Sequence, residues 1–199
     1  TPTQTPTQTP TQTPTQTPTQ TPSESPTQSP PDAFVLKAVT SSVNEMVEFL
    51  PNAYTHDSFM YDFNISWGDS SSERIEGPFI NKIGYNRLIS HSYSSPGTYL
   101  ITVQANSDVG IPKWMGCDFN SVIKDVVQWG TYKWPSFEYF LDSCIGLETI
   151  SASDAPDLSL ATSMDSTFKF SKSFNANINH WNVSTITNMV STFENCYAF

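Results

Sequence analysis

Apolar side chains are missing from the first stretch of the chain and then return in two different rhythms. Apart from proline, residues 1–31 hold no aromatic or aliphatic residue. From Phe34 the period is two. Phe34-Val-Leu-Lys-Ala-Val reads as an opening strand, and Met46-Val-Glu-Phe-Leu as a second, closed by Pro51. In the run that follows, Phe59, Tyr61, Phe63, Ile65 and Trp67 share one face, and Met60, Asp62, Asn64 and Ser66 share the other. Gly68-Asp69-Ser70-Ser71-Ser72 is a turn, Ser95-Pro96-Gly97 is another, and Tyr99, Ile101 and Val103 alternate after it. Short strands at this spacing predict a β-sandwich.

Past Gly116 the rhythm becomes a repeat. Met164-Asp-Ser-Thr-Phe168 returns as Met189-Val-Ser-Thr-Phe193, and Phe174 and Phe199 keep the same offset. Phe137, Leu141, Cys144 and Leu147 form an earlier copy of Met164, Phe168, Ser171 and Phe174, with a slightly longer connection between the two. The i, i+4, i+7 spacing predicts one short helix per copy, with Thr162 and Thr187 as N-caps. Ile178, Trp181 and Val183 suggest a short extended segment between helices. A strand and a helix in every repeat, at this repeat length, is the signature of a leucine-rich-repeat-like solenoid. The expected fold class is therefore mainly β with short helices. Its expected domains are a stalk at 1–31, a β-sandwich at 32–112 and a solenoid at 113–199.

The stalk is a Thr-Pro-Thr-Gln array with proline every four residues from Pro2 to Pro30. Each proline fixes φ and pushes the preceding residue towards extended backbone, which excludes helix and sheet and favours polyproline II. At ~3.1 Å per residue such a rod reaches roughly 90 Å. Polyproline II turns every three residues, so a four-residue repeat distributes its hydroxyls and prolines around every side of the rod. That suits a coat of O-linked sugar. The attachment candidates are Thr1, Thr3, Thr5, Thr7, Thr9, Thr11, Thr13, Thr15, Thr17, Thr19, Thr21, Ser23, Ser25, Thr27 and Ser29. Modified prolines at Pro2, Pro6, Pro10, Pro14, Pro18, Pro22 and Pro26 complete the set. Asn64-Ile-Ser66 and Asn182-Val-Ser184 are N-glycosylation sequons, and the strand alternation turns Asn64 outward.

Nineteen acidic against nine basic residues leave a net charge of −10, which repels nucleic acid and anionic lipid. No apolar run is long enough to span a bilayer. Cys117, Cys144 and Cys196 are far apart and odd in number. They suggest neither a dense disulfide framework nor a zinc site, and Cys144 and Cys196 read as buried, inert thiols in equivalent positions. His91 and Asp69 read as turn-holding residues, with calcium at Asp69 a weaker reading. No paired carboxylates and no nucleophile with a neighbouring base stand out, so the chain reads as a non-enzyme without a cofactor, covalent glycans aside.

Three resemblances sharpen this. Trp67-Gly68-Asp69, followed by His91-Ser92-Tyr93 and Pro96-Gly97-Thr98-Tyr99 through Val103, closely resembles a PKD-type domain. That family implies an extracellular immunoglobulin-like sandwich in which Trp67, Tyr93 and Tyr99 support core and turns. Ser70 departs from the family's second glycine, at a position that often needs a left-handed backbone. Val127–Trp134, Ser143–Leu147, Ser153–Ser159 and Phe174–Ser184 resemble BspA-type leucine-rich-repeat surface proteins, in which a PKD-like domain often precedes the repeats. Met164, Phe168, Met189 and Phe193 would be the repeat's core residues. The tetrapeptide array resembles the cores of glycan-coated extracellular fibrils.

The chain starts inside one repeat and stops inside another, as expected of a segment of a longer protein in which further repeats or another subunit cover the last turn. The functional expectation is an extracellular, glycosylated filament or surface-stalk subunit that associates with itself or with other surface proteins. Two alternatives remain. One is an adhesin whose solenoid binds protein or carbohydrate, with Trp114, Trp129 and Trp134 as contacts. The weaker is an accessory region of a secreted hydrolase.

Overall fold

The structure, a computed structural model, describes residue 30 and residues 32–49, 59–79, 89–106, 116–117 and 121–199. Eight strands are present: β1 (Phe34–Thr40), β2 (Glu45–Phe49), β3 (Phe59–Ser66), β4 (Ser72–Phe79), β5 (Ile89–Tyr93), β6 (Gly97–Ala105), β7 (Ile123–Gln128) and β8 (Thr149–Ile150). Six form one sheet in the order β4-β3-β6-β1-β7-β8, and β2 pairs with β5 in a second. All pairings are antiparallel except β7 with β8.

Period-two patterning is clearest on β3. Tyr61, Phe63 and Ile65 on β3 are buried, with Trp67 just beyond, and Asn64 between them is exposed. Val47, Phe49, Ile89 and Tyr93 from the second sheet enter the same core. β1 is different, because Phe34, Val35 and Leu36 are all buried in succession. A consecutive apolar run marks a strand covered on both faces, and β1 is also paired on both edges, with β6 and β7.

That double pairing carries the sheet across the expected boundary at 112/113. Phe34 meets the rings of Trp129, Trp134 and Phe140 at 5.5, 5.4 and 5.8 Å. Lys37 Nζ on β1 lies 2.9 Å from the buried carboxylate of Asp125 on β7, which also accepts from the Ser151 amide and hydroxyl at 2.8 and 2.7 Å. The Gln128 side-chain amide donates to the carbonyls of Pro30 and Ala33 at 2.7 and 2.8 Å, so the chain just before β1 is tied to the end of β7. Gly130 is left-handed beside it, where a Cβ would collide with the carbonyls of Asp32 and Ala33.

The expected short helices are absent, and among the described residues there is no helix at all. Phe137–Leu147, Met164–Phe174 and Met189–Phe199 are instead chains of consecutive turns. Every fourth residue is left-handed: Tyr139 and Ser143, Ser166 and Phe170, Ser191 and Asn195. Such residues interrupt any helix. Within each run, amides bond three residues back, as Thr167, Lys169 and Ser171 do to Met164, Ser166 and Phe168. Alternate amides leave the run altogether. Phe137, Tyr139, Leu141 and Ser143 donate to the carbonyls of Ser163, Asp165, Thr167 and Lys169 at 3.3, 2.9, 2.8 and 2.7 Å. Met164, Ser166, Phe168 and Phe170 donate to Asn188, Val190, Thr192 and Glu194 at 2.8 to 2.9 Å. A four-residue turn repeat mimics the i, i+4 spacing of a helix, which is why the pattern misled. Thr162 and Thr187 therefore cap nothing; the Thr187 hydroxyl donates to the Thr162 carbonyl at 3.2 Å. The segment around Ile178, Trp181 and Val183 is not a strand either.

Met164, Phe168 and Phe174 are fully buried, whereas Met189 is 48% exposed and Phe193 is half-buried. The rings stack within and between runs: Phe168 on Phe174 at 4.1 Å, Phe193 on Phe199 at 4.4 Å, and Phe168 on Phe193 at 5.6 Å. Hydroxyls brace the stack. Thr167 Oγ1 shares its proton between the carbonyls of Phe137 and Met164, each at 2.7 Å, and Ser171 Oγ donates to Leu141 at 2.6 Å. The cysteines also differ from expectation. Cys144 is not a thiol but is bridged to Cys117, and Cys196 is free.

If the hydroxyl bridge holds neighbouring runs together, Thr167→Val costs about 1–2 kcal/mol, because two buried carbonyls lose a donor. The same change at exposed Thr162 shifts stability by no more than about 0.5 kcal/mol. Urea unfolding of the two variants beside the parent checks the contrast.

Candidate functional site

The motif residues of the first module converge at one end of β3. Gly68 is left-handed, with φ of 84°, and an added Cβ would stand 2.8 Å from the Leu100 amide nitrogen and carbonyl oxygen, so no side chain fits there. Ser70, the departure from the pattern of the resembled family, is left-handed as well, with φ of 72°. Asp69 holds this turn through the Ser71 amide at 3.0 Å and the Ser71 hydroxyl. Its second oxygen takes His91 Nε2 at 2.7 Å. The imidazole lies flat on Trp67, with centroids 4.8 Å apart, and edge-on to Tyr93. Tyr93 donates its hydroxyl to the Trp67 carbonyl at 2.9 Å, and burial raises its pKa. Tyr99 stacks on Tyr93 at 4.0 Å and donates to the Ser95 carbonyl at 2.8 Å, closing the turn at Gly97.

A serine, a histidine and an aspartate thus sit together, but their order is wrong for acyl transfer. The Ser71 hydroxyl gives its proton to Asp69 and does not contact the imidazole, whereas an activated nucleophile must face its base. The cluster ties the β3–β4 turn to β5. Burial pushes the Asp69 carboxyl up, but the bonds from Ser71 and His91 outweigh it and hold the group below the usual carboxylate range. Asp125 behaves alike: burial raises it, and Lys37 and Ser151 bring it below the ordinary value. Among the described residues, no group of three or more His, Cys, Asp or Glu side chains is placed to hold a metal ion.

The stalk candidates from Thr1 to Ser29 lie outside the described residues. Asn64 is exposed on β3, and Asn182 is exposed in the loop after Trp181. Trp129 and Trp134 are inside the core, as are Trp67 and Trp181, while Trp114 lies outside the described residues. The indole nitrogens of Trp129, Trp134 and Trp181 are buried without a hydrogen-bond partner among the described residues. Trp129 meets Trp181 edge to face at 5.2 Å, the geometry in which ring edges contact ring faces.

Three positions escaped the sequence reading: Asp125, Gln128 and Asp154. Asp154 accepts from the Trp129 amide at 3.0 Å and the Gly130 amide at 2.9 Å and fixes the bend after β7. An Asp at an inward position of the strand pattern Ile123-Lys-Asp-Val-Val127 was the available signal for Asp125.

Residues 114–199 match a family model described as Mycoplasma protein of unknown function, DUF285. That is the segment of stacked turns together with β7 and β8, and it covers less than half of the chain, so the likeness is one of the repeat segment. No curated protein and no solved structure matches the chain.

The two depressed carboxylates give stability a definite pH sign. Each is more acidic folded than unfolded, so its contribution is complete above the ordinary carboxylate range and is lost as pH falls through the depressed native value. Asp69→Asn and Asp125→Asn should each lower stability at neutral pH and flatten its acid decline, as read by denaturant unfolding from neutral to strongly acidic pH. For the disulfide, Cys144→Ser is expected to cost about 2–4 kcal/mol. Burial pushes the Cys196 thiol up to about 11. Iodoacetamide should therefore label the native parent chain slowly. Unfolded without reductant, the chain should be labelled at Cys196 alone, as peptide mapping would show.

Proposed function

We propose that this chain is a structural subunit of an extracellular, glycosylated surface stalk or filament, with the Thr-Pro-Thr-Gln array as its sugar-bearing rod. The observation that carries the reading is the junction. Pro30, at the foot of the rod, is bonded through its carbonyl to Gln128 and to the Ala33 amide, and the adjoining strand is paired on both edges. A rod that serves as a spacer gains nothing from length if it swivels at its base, and this base is fixed. The Cys117–Cys144 disulfide supports an oxidising, extracellular location. The stacked turns after residue 136 support a solenoid of BspA type, and the two sheets with the Trp67–His91–Tyr93 cluster support a PKD-like sandwich ahead of it. Among the described residues, no helix is long and apolar enough to cross a membrane.

Adhesion is the second reading. Exposed Leu160, Val183 and Val190 on the repeat segment favour it, and the burial of Trp129 and Trp134 removes two of its three candidate aromatic contacts.

Intact mass of natively secreted material decides the main point. A mass well above that of the bare polypeptide, with sugar mapped to most Thr, Ser or hydroxylated Pro positions of residues 1–31, is the expected result. An unmodified stalk would overturn the filament reading and leave an interdomain linker.

A further inference from the structure

Each globular module carries one N-glycosylation sequon, and the two asparagines differ in what their amide nitrogens are doing. Asn64 is in the middle of β3, opposite Arg74 on β4 and Gln104 on β6. Its Nδ2 donates to Asn106 Oδ1 at 2.8 Å. Asn106 Nδ2 in turn donates to Asp62 at 2.7 Å, and Arg74 grips the same carboxylate with two bonds of 3.0 Å. The nitrogen that would have to attack a sugar is thus the first link of a cross-strand polar chain. A glycan there would have to replace the nitrogen's second hydrogen while the first stays held by Asn106, on an amide fixed in a strand that is paired on both sides.

Asn182 uses only its oxygen. Oδ1 accepts the Ser184 amide at 3.1 Å, and Nδ2 has no bond among the described residues. Residues 182–185 are all exposed. The preceding repeat shows that the nitrogen is surplus to the turn, because Asp157, at the same place one repeat earlier, closes the same bend by accepting the Ser159 amide at 2.9 Å. A carboxylate suffices for the fold at this position. Asn177 and Asn188 make the same side-chain-to-backbone turn, at 3.0 Å each, but neither has Ser or Thr two residues on. Of these turns only that of Asn182 joins a free amide nitrogen to a serine hydroxyl at the required spacing. The bond to Oδ1 also draws electron density from the amide and makes its N–H hydrogens easier to lose.

We propose that Asn182, and not Asn64, is the N-glycan acceptor of the globular part, taking an oligosaccharide carried on a lipid diphosphate. In the transfer, Nδ2 forms a bond to the anomeric carbon and loses one proton to a base of the transferase. The bond from the anomeric carbon to the diphosphate oxygen breaks, and the lipid diphosphate leaves with that electron pair. No oxidant or reductant is needed. The proposal is independent of the stalk's O-linked sugars.

The test is secretion of the full chain from a eukaryotic cell line that attaches N-linked oligosaccharides. The product is treated with an N-glycanase in heavy-oxygen water and cut with trypsin. Cleavage after Lys172 releases residues 173–199, and cleavage after Lys37 and Arg74 releases residues 38–74, so the two sequons fall on separate peptides. The expected result is a heavy-oxygen Asn-to-Asp mark at 182 and none at 64. Ser184→Ala and Asn182→Asp should abolish the mark, the second with the turn kept in the form Asp157 already shows. Asn64→Gln should leave the N-linked mass unchanged. Occupancy at Asn64 equal to or above that at Asn182, or secreted chain with neither site marked, overturns the proposal.

Discussion

In the stacked turns every second peptide unit from Ser163 to Phe170 points its carbonyl at the preceding run and its N–H at the following one. Hydrogen bonds therefore pass through successive runs in one direction, aligned like those of a helix but lying across the chain instead of along it. This requires residues at regular intervals to leave the right-handed region. Ser166 and Phe170 accept positive φ, a cost of order 1–3 kcal/mol each, offset by bonds that no single run could form alone. Side chains follow from that backbone. With the rows in register, Phe168, Phe174 and Phe193 fall one above another, and Thr167 and Ser171 reach the carbonyls of the run before them. A run has no meaning here without its neighbour, the property expected of repeat architectures.

The same dependence governs the joint between the two modules. β1 belongs by sequence to the first module, yet it gives one edge to β6 and the other to β7. Lys37 and Asp125 mark the second of these seams, and the ring of Phe34 enters an aromatic cluster that the repeat segment supplies. Three indole nitrogens are buried in or beside that cluster without a partner among the described residues. The desolvation they cost is offset by the apolar surface that Trp129, Trp134 and Trp181 bury in ring contacts with one another and with Phe137 and Phe140. Apolar area outweighs a few unmet donors at this seam, whereas along the turn stack the hydrogen bonds decide the geometry.

Legibility followed the same division. Strands whose side chains alternate in polarity, such as Phe59–Ser66, could be read directly, because period two is set by the residue's own backbone. The Trp67–His91–Tyr93 cluster was legible for another reason: its spacing and wording resemble a family motif, and Gly68 is required by a local collision with Leu100. The turn stack was half legible. Its period was plain in the repeated Met-x-Ser-Thr-Phe, but whether that spacing meant helix or turns depends on where alternate amides go. Their partners lie about a full repeat away. Asp125 and Gln128 were hidden for the same reason, since Lys37 and Pro30 are 88 and 98 residues from them in sequence. The Cys117–Cys144 bridge joins adjacent repeats, a contact that counting three cysteines does not disclose.

The bonds that hold Pro30 and the directional stack have a common consequence for how load would cross this protein. Tension applied at Pro30 would be met first by the Gln128 side-chain amide, then by the backbone bonds on either side of β1, a continuous row to β6 and a bulged, irregular one to β7. Bonds arranged in parallel along a strand must break together, while those in a single clamp break one at a time. The strand is also the place where the sheet passes into the repeats, so the load is shared with the stack through β7 and the parallel pairing to β8. The disulfide covalently ties the run that holds Cys144 back to Cys117. Where the Thr/Pro array meets the fold, the structure places a dense set of cross-chain bonds around Pro30, β1 and β7.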